Sequence, residues 1–233
     1  MSIQSNVPEW ASVQPAGGER HLPVYLLLDT SGSMDGAPIE SVRQGLEQFQ
    51  KEVSADPFAR DVVRLGVITF NSEARLITNG LVPISDFRPP ILNASGMTAL
   101  GQAFKVLLQS LDRDVTKPIK GGQKGDWKPA VFVLTDGRPT DEWQTPRNAV
   151  VNRPRGQVKP SVIVAVGCGP DVDDATLKAI STGTAFRMGA SEAAFVALFQ
   201  YLSQSITSSV QPGGNVEDPF ADVPPAEDLI RIP

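Results

Sequence analysis

The chain has 233 residues, 41% of them apolar and 20% charged, with 21 lysines and arginines against 26 aspartates and glutamates. That composition suits a folded chain with a substantial core, and a net charge of -5 gives no basic footprint for nucleic acid. The single cysteine, Cys168, and the single histidine, His21, exclude an internal disulfide framework, every cysteine-rich zinc site and a histidine-based zinc centre.

Residues 1–21 are polar, punctuated by Pro and Gly, and read as an irregular arm. They lack a basic stretch followed by an apolar one, so no signal peptide is expected. No apolar run reaches the roughly 18 residues of a membrane-spanning helix. With one cysteine, these features point to a cytoplasmic protein that makes no membrane contact.

From Leu22 the pattern changes. Pro23 to Leu28 is a continuous apolar run closed by Asp29. Runs without alternation suit strands covered on both faces, as in parallel sheets. Similar runs follow at 62–70, 130–134 and 161–167, with a weaker strand at 185–188. Residues 75–82 should form an antiparallel edge strand, because only Asn71, Ser72 and Glu73 separate them from the preceding run.

Helical stripes lie between the runs. Ile39, Val42, Leu46, Phe49 and Val53 share one face, with Pro38 at the helix start. Leu100, Ala103, Phe104, Leu107, Leu108 and Leu111 make a second stripe. Phe195, Leu198, Phe199, Leu202 and Ile206 make a third, with Ser191 as its N-cap. A short helix is expected from Asp173 or Asp174 to about Ser181. Alternating strands and helices predict an α/β fold: a doubly wound, mostly parallel sheet with one antiparallel edge strand and helices on both faces.

The division is an arm at 1–21, a folded domain at 22–208 and an acidic, Pro-rich tail at 209–233. From Gln211 onward the tail holds five acids, Glu217, Asp218, Asp222, Glu227 and Asp228, against one base, Arg231. It reads as a solvated linker or interaction arm, so its deletion should leave melting nearly unchanged.

The chemistry concentrates in Asp29-Thr30-Ser31-Gly32-Ser33, at the carboxyl end of the first buried run. Ligands of open α/β sheets sit at that edge. One carboxylate followed by two hydroxyls at even spacing offers hard oxygens of the kind Mg²⁺ takes, with Mn²⁺ and Ca²⁺ as alternatives. Asp136 ends another buried run and Thr98 precedes the second helix, so both should emerge at the same edge.

These residues resemble the metal-ion-dependent adhesion site (MIDAS) of von Willebrand factor A (VWA) domains. Asp29-Thr30-Ser31-Gly32-Ser33 fits the family's D-x-S-x-S, Thr98 its lone threonine and Asp136 its later aspartate. The resemblance covers about residues 22–208 and implies the Rossmann-like VWA fold. It further implies that Ser31, Ser33 and Thr98 bind the metal directly, while Asp29 and Asp136 act mostly through bound waters. A glutamate or aspartate of a partner protein would complete the shell, making the chain a metal-dependent binding module and not an enzyme. Met34, Asp35, Asn71, Ser72, Glu73, Met97, Arg138 and Pro139 are expected around the ion, with Arg75 and Arg138 adding positive field. The wording of Ser95–Gly101 and Thr135–Thr140 is most similar to the bacterial TerY-like branch, associated with tellurite resistance and stress. In that branch the VWA protein often accompanies a protein kinase and a PP2C-type phosphatase.

The rival reading is an Mg²⁺-dependent phosphatase or phosphotransferase with Asp29 as nucleophile. An Asp at the end of the first strand is similar to phosphatases of the haloacid dehalogenase type, but that resemblance implies a second aspartate two residues on as acid/base, where this chain has Ser31. Cys168 reads as an inert apolar residue and His21 as a packing residue. Gly121 to Gly125 lacks the phosphate-loop pattern and reads as a plain loop.

Overall fold

Apolar runs become parallel strands here because helices cover both faces of the sheet. The computed structural model describes residues 20–122, 124–220 and 223–233; much of the arm expected at 1–21 lies outside them. In chain order the elements are β1 (Leu22–Asp29), α1 (Ala37–Ala55), α2 (Pro57–Val62), β2 (Val63–Phe70), β3 (Ala74–Leu76), β4 (Val82–Pro83), α3 (Leu100–Asp114) and β5 (Ala130–Thr135). They continue with α4 (Gln144–Val151), β6 (Val162–Cys168), α5 (Asp174–Ile180), β7 (Ala185–Met188), α6 (Glu192–Val210) and β8 (Ile230–Arg231).

The strand order is β3-β2-β1-β5-β6-β7-β8, with β4 also paired to β2. Strands β2, β1, β5, β6 and β7 run parallel. The order reverses at β1: the chain steps to β2 on one side, then returns to β5 on the other. Loops leaving β1 and β5 therefore part and open a crevice at their carboxyl ends.

Alternation along β1 divides the core in two. Leu22, Val24, Leu26 and Leu28 pack in the layer built by α1, α2 and α6, where Val42, Leu46, Phe49, Phe199 and Leu202 are buried. Tyr25 and Leu27 face the layer of α3, α4 and α5, with Leu100, Phe104, Leu107, Val150 and Leu177. Each such side chain stabilises the fold by roughly 1.5–3 kcal/mol on burial. The expected stripes of α1, α3 and α6 thus face the sheet.

Two expectations at the sheet edges change. The edge strand expected over 75–82 is split into β3 and β4, both antiparallel to β2. A turn interrupts it: Gly80 has φ 77° and its N–H reaches the Thr78 carbonyl, while the Thr78 hydroxyl accepts from Val67 N–H. The second change is a further antiparallel strand, β8, on β7 at the far edge.

That strand comes from the segment expected to be solvated. Leu229 and Phe220 are buried in the core beside α6. The Phe220 ring lies 6.2 Å from Phe132 and 5.8 Å from Tyr201. Composition hid this because a few apolar side chains, spaced among acids and prolines, suffice to seal a sheet edge. Truncation before Gln211 should therefore lower the melting temperature by roughly 5–10 °C, and Phe220→Ala, costing about 3 kcal/mol, should reproduce much of the loss. Thermal denaturation followed by circular dichroism checks both; an unchanged midpoint would place the tail in solvent.

Candidate functional site

Asp29 is the last residue of β1 and is fully buried. Its Oδ1 accepts from the Ser31 N–H at 2.8 Å and its Oδ2 from the Thr135 hydroxyl at 2.6 Å. Thr135 ends β5, so this carboxylate ties the two strands at which the order reverses. The loop after β1 turns through a short 3-10 segment, Gly32–Met34. Its Ser31 and Ser33 hydroxyls lie 3.1 Å apart, and Ser33 donates to Asp136 Oδ1 at 2.7 Å.

Thr98 joins from the loop ahead of α3. Its hydroxyl and that of Ser33 lie 3.7 and 4.0 Å from the point where a Cβ on Gly137 would stand. The residue is 6% exposed, and its hydroxyl, which bonds no protein group among the described residues, is not sealed from solvent. The five residues expected at the rim are therefore brought into one neighbourhood.

Thr98 is free because it does not cap the helix. Helix α3 begins at Leu100 with Ala99 at the N-cap position and no side-chain cap. Asp141 takes that role from another loop, accepting from Gly101 N–H at 2.9 Å and Gln102 N–H at 3.1 Å. Gly101 permits the approach, since a Cβ there would stand 2.2 Å from the Glu142 carbonyl oxygen. Thr140 completes the clasp: Thr98 N–H donates to its hydroxyl and its own N–H to the Thr98 carbonyl. Thr135, Thr140 and Asp141 were not singled out from sequence, although an acid just past a buried strand, in Asp141, was visible there.

The Ser95–Met97 loop is pinned in turn. Gly96 adopts φ 77°, its carbonyl accepts from Gly32 N–H at 3.0 Å, and Met97 N–H donates to the Ser72 hydroxyl at 3.1 Å. Among the expected neighbours, Met34 is fully buried in the core and cannot meet a partner. Arg75 pairs with Glu73 at 2.8 Å and Arg138 with Asp173 at 3.6 Å, so the positive field expected from them is largely quenched. Met97 is 58% exposed.

Electrostatically the rim is anionic and partly dehydrated. Burial pushes the Asp29 carboxyl up to about 6, against the pull of its hydrogen bonds from Ser31 and Thr135. Burial also raises Asp136. The donor set is hydroxyl and carboxylate oxygen, which suits hard divalent cations. Among the described residues no three His, Cys, Asp or Glu side chains group to hold a metal, so an ion at this rim would rest on hydroxyls as well as carboxylates.

The von Willebrand factor type A domain family matches residues 24–204. The chain belongs to this family. Solved VWA-like structures agree on the fold. A von Willebrand factor type A protein from Catenulispora acidiphila superposes with TM-score 0.60 at 15% identity, covering 81% of this chain and 43% of that one. The ArnB paralog VWA2 of Sulfolobus acidocaldarius gives 0.55 at 14%, covering 80% and 45%. Proximal thread matrix protein 1 from the mussel byssus, with a zinc-occupied MIDAS motif, gives 0.54 at 16%, covering 81% and 48%. This chain thus spans less than half the length of each. No curated protein matches the sequence. No helix among the described residues of this VWA domain is long and apolar enough to cross a membrane.

The buried Asp29 has a measurable signature. An acid with a higher pKa folded than unfolded keeps its proton better in the fold, so its ionisation begins to oppose folding near pH 4, the penalty grows up to about pH 6 and is complete above it. With divalent ions chelated, Asp29→Asn should raise the melting temperature by a few degrees at about pH 7.5, keep about half of that gain near pH 5 and lose most of it near pH 4. A gain independent of pH would show that Asp29 ionises normally.

Proposed function

We propose that this VWA domain is a metal-dependent protein-binding module whose MIDAS-type rim engages a glutamate or aspartate of a partner protein. Ser31, Ser33 and Thr98 would hold a divalent cation directly, with Asp29 and Asp136 acting mostly through waters. The observation that carries this reading is the unpartnered Thr98 hydroxyl, held beside the Ser31–Ser33–Asp136 cluster by a clasp that frees it from capping.

The spacing supports the fit. Adjacent ligands of an octahedral Mg²⁺ lie about 3.0 Å apart, given metal–oxygen distances near 2.1 Å; Ser31 and Ser33 Oγ are 3.1 Å apart. Mg²⁺ is the favoured ion on this geometry and donor chemistry, and the zinc in the mussel protein's MIDAS supports a divalent cation more broadly. Once bound, the ion supplies a Lewis-acid position for a carboxylate oxygen. The chain's own residues set how strongly: neutral hydroxyls leave most of the cation's charge unquenched, and buried Asp29 balances it from behind. A partner carboxylate meeting that charge out of water makes a charge-assisted anchor.

The reading as a binding module agrees with a family whose members are generally interaction modules. The nucleophilic alternative gains no support, because Asp29 is fully buried with both oxygens already engaged. On the TerY-like wording of Ser95–Gly101 and Thr135–Thr140, we assign the module to a bacterial cytoplasmic stress or tellurite-resistance system, with a kinase and a PP2C-type phosphatase as partners.

Mg²⁺ at about a hundredfold over its dissociation constant should stabilise the wild type by about 2.7 kcal/mol, a rise of several degrees. The double variant Ser31→Ala, Ser33→Ala should fold but show no rise. Partner capture from native extract should vanish with EDTA and in that variant; capture that survives both removes the metal from the mechanism.

A further inference from the structure

We propose that the chain carries a second binding site, a cationic cleft at the opposite pole of the sheet, which takes an acidic protein segment bearing an apolar side chain. It stands independently of the metal reading. The cleft, of about 510 Å³, is formed by residues just ahead of β5 and just ahead of β6. One length of β5, roughly 20 Å, separates this pole from Asp136.

Its charge is concealed by the chain's overall balance. Segments 115–128 and 152–159 hold seven lysines and arginines against one acid, Asp126, in a chain of net charge -5. The floor is apolar: Val115 is buried, and Trp127 and Val158 are half-buried. Lys117, Lys128, Arg155 and Lys159 line it and are exposed.

The walls are prearranged by groups whose own charges are already met. Arg153, buried, donates to the Val158 carbonyl at 2.7 Å, to Gln157 Oε1 at 3.1 Å and to Asp112 Oδ1 at 2.5 Å. Asp126 accepts from Thr116 N–H at 2.8 Å and His21 N–H at 3.2 Å. By contrast, Arg155 and Lys159 pair with no carboxylate among the described residues. Two such cations, with the Arg20 guanidinium 5.1 Å over the Trp127 ring, border a partly apolar floor and favour a ligand that is anionic at its edge and apolar at its centre.

The chain itself shows which anion fits. Glu217 from the tail already meets Lys128 at 2.5 Å, so a protein carboxylate docks on this side of the cleft. With Lys128 met by Glu217, Lys117 by Asp112 and Arg153 by Asp112, the unpaired lining cations among the described residues are only Arg155 and Lys159, a short patch that suits one or two carboxylates and not a continuous run of phosphates. A short acidic segment can place a carboxylate on Arg155 or Lys159 and an apolar side chain against Trp127 and Val158.

The test uses the full chain in EDTA and a short fluorescein-labelled peptide of glutamates around one central leucine. Fluorescence anisotropy should show saturable binding that weakens with salt. Arg155→Glu with Lys159→Glu should weaken it about tenfold or more, as expected when rim cations meet an anionic ligand. The control Lys51→Glu with Lys178→Glu makes the same charge change elsewhere and should bind like wild type, as should Ser31→Ala with Ser33→Ala. Trp127→Ala should weaken binding without altering its salt dependence. Absence of binding, equal loss in the two charge-reversed variants, or tighter binding of a single-stranded oligonucleotide to the same cleft would each overturn the proposal.

Discussion

A buried carboxylate organises this molecule. Asp29 sits where β1 ends, out of contact with water, and is held by a backbone N–H from its own loop and a hydroxyl from β5. Removing a charged carboxylate from water costs several kcal/mol, and two hydrogen bonds offset only part of that. The rise of Asp29 to about 6 expresses the remainder. A fold that keeps such a group holds negative potential in reserve beneath a ring of hydroxyls. In the proposed reading a cation relieves that tension, so the cost borne by the bare fold becomes affinity for the ion.

The reversal of strand order makes this arrangement attainable. Because β2 and β5 flank β1 on opposite sides, the loops after β1 and β5 diverge, and the loop ahead of α3 lies between them. The clasp of Thr140 and Asp141 then fixes where Thr98 points. Strand polarity also gives the sheet two chemically distinct ends. The carboxyl end gathers hydroxyls and acids, while the amino end gathers cations around an apolar cleft.

Much of the fold was legible in the residues. Unbroken apolar runs such as Pro23 to Leu28 mark doubly covered strands, and the stripes of α1, α3 and α6 mark helices lying on the sheet. Ser191 caps α6 as its position suggests, accepting from Ala194 N–H at 3.2 Å. Two helices escaped. Helix α2 has only six residues, too few for a stripe, though Asp56 before Pro57 was a readable start and its carboxylate does cap Ala59 N–H. Helix α4 buries only Pro146 and Val150, so its periodicity is faint.

Local pattern by itself determined the parallel strands, the principal helices and the edge at which Asp29, Ser31, Ser33, Thr98 and Asp136 emerge, because periodicity and strand polarity are properties of short stretches. Tertiary structure alone decided three things: that Asp141 caps α3 and leaves the Thr98 hydroxyl free, that Phe220 draws an acidic tail onto the sheet, and that two basic segments far apart in sequence face one cleft. Each depends on residues brought together by packing, and no spacing along the chain encodes which distant side chain will meet a given hydroxyl, ring or ammonium group.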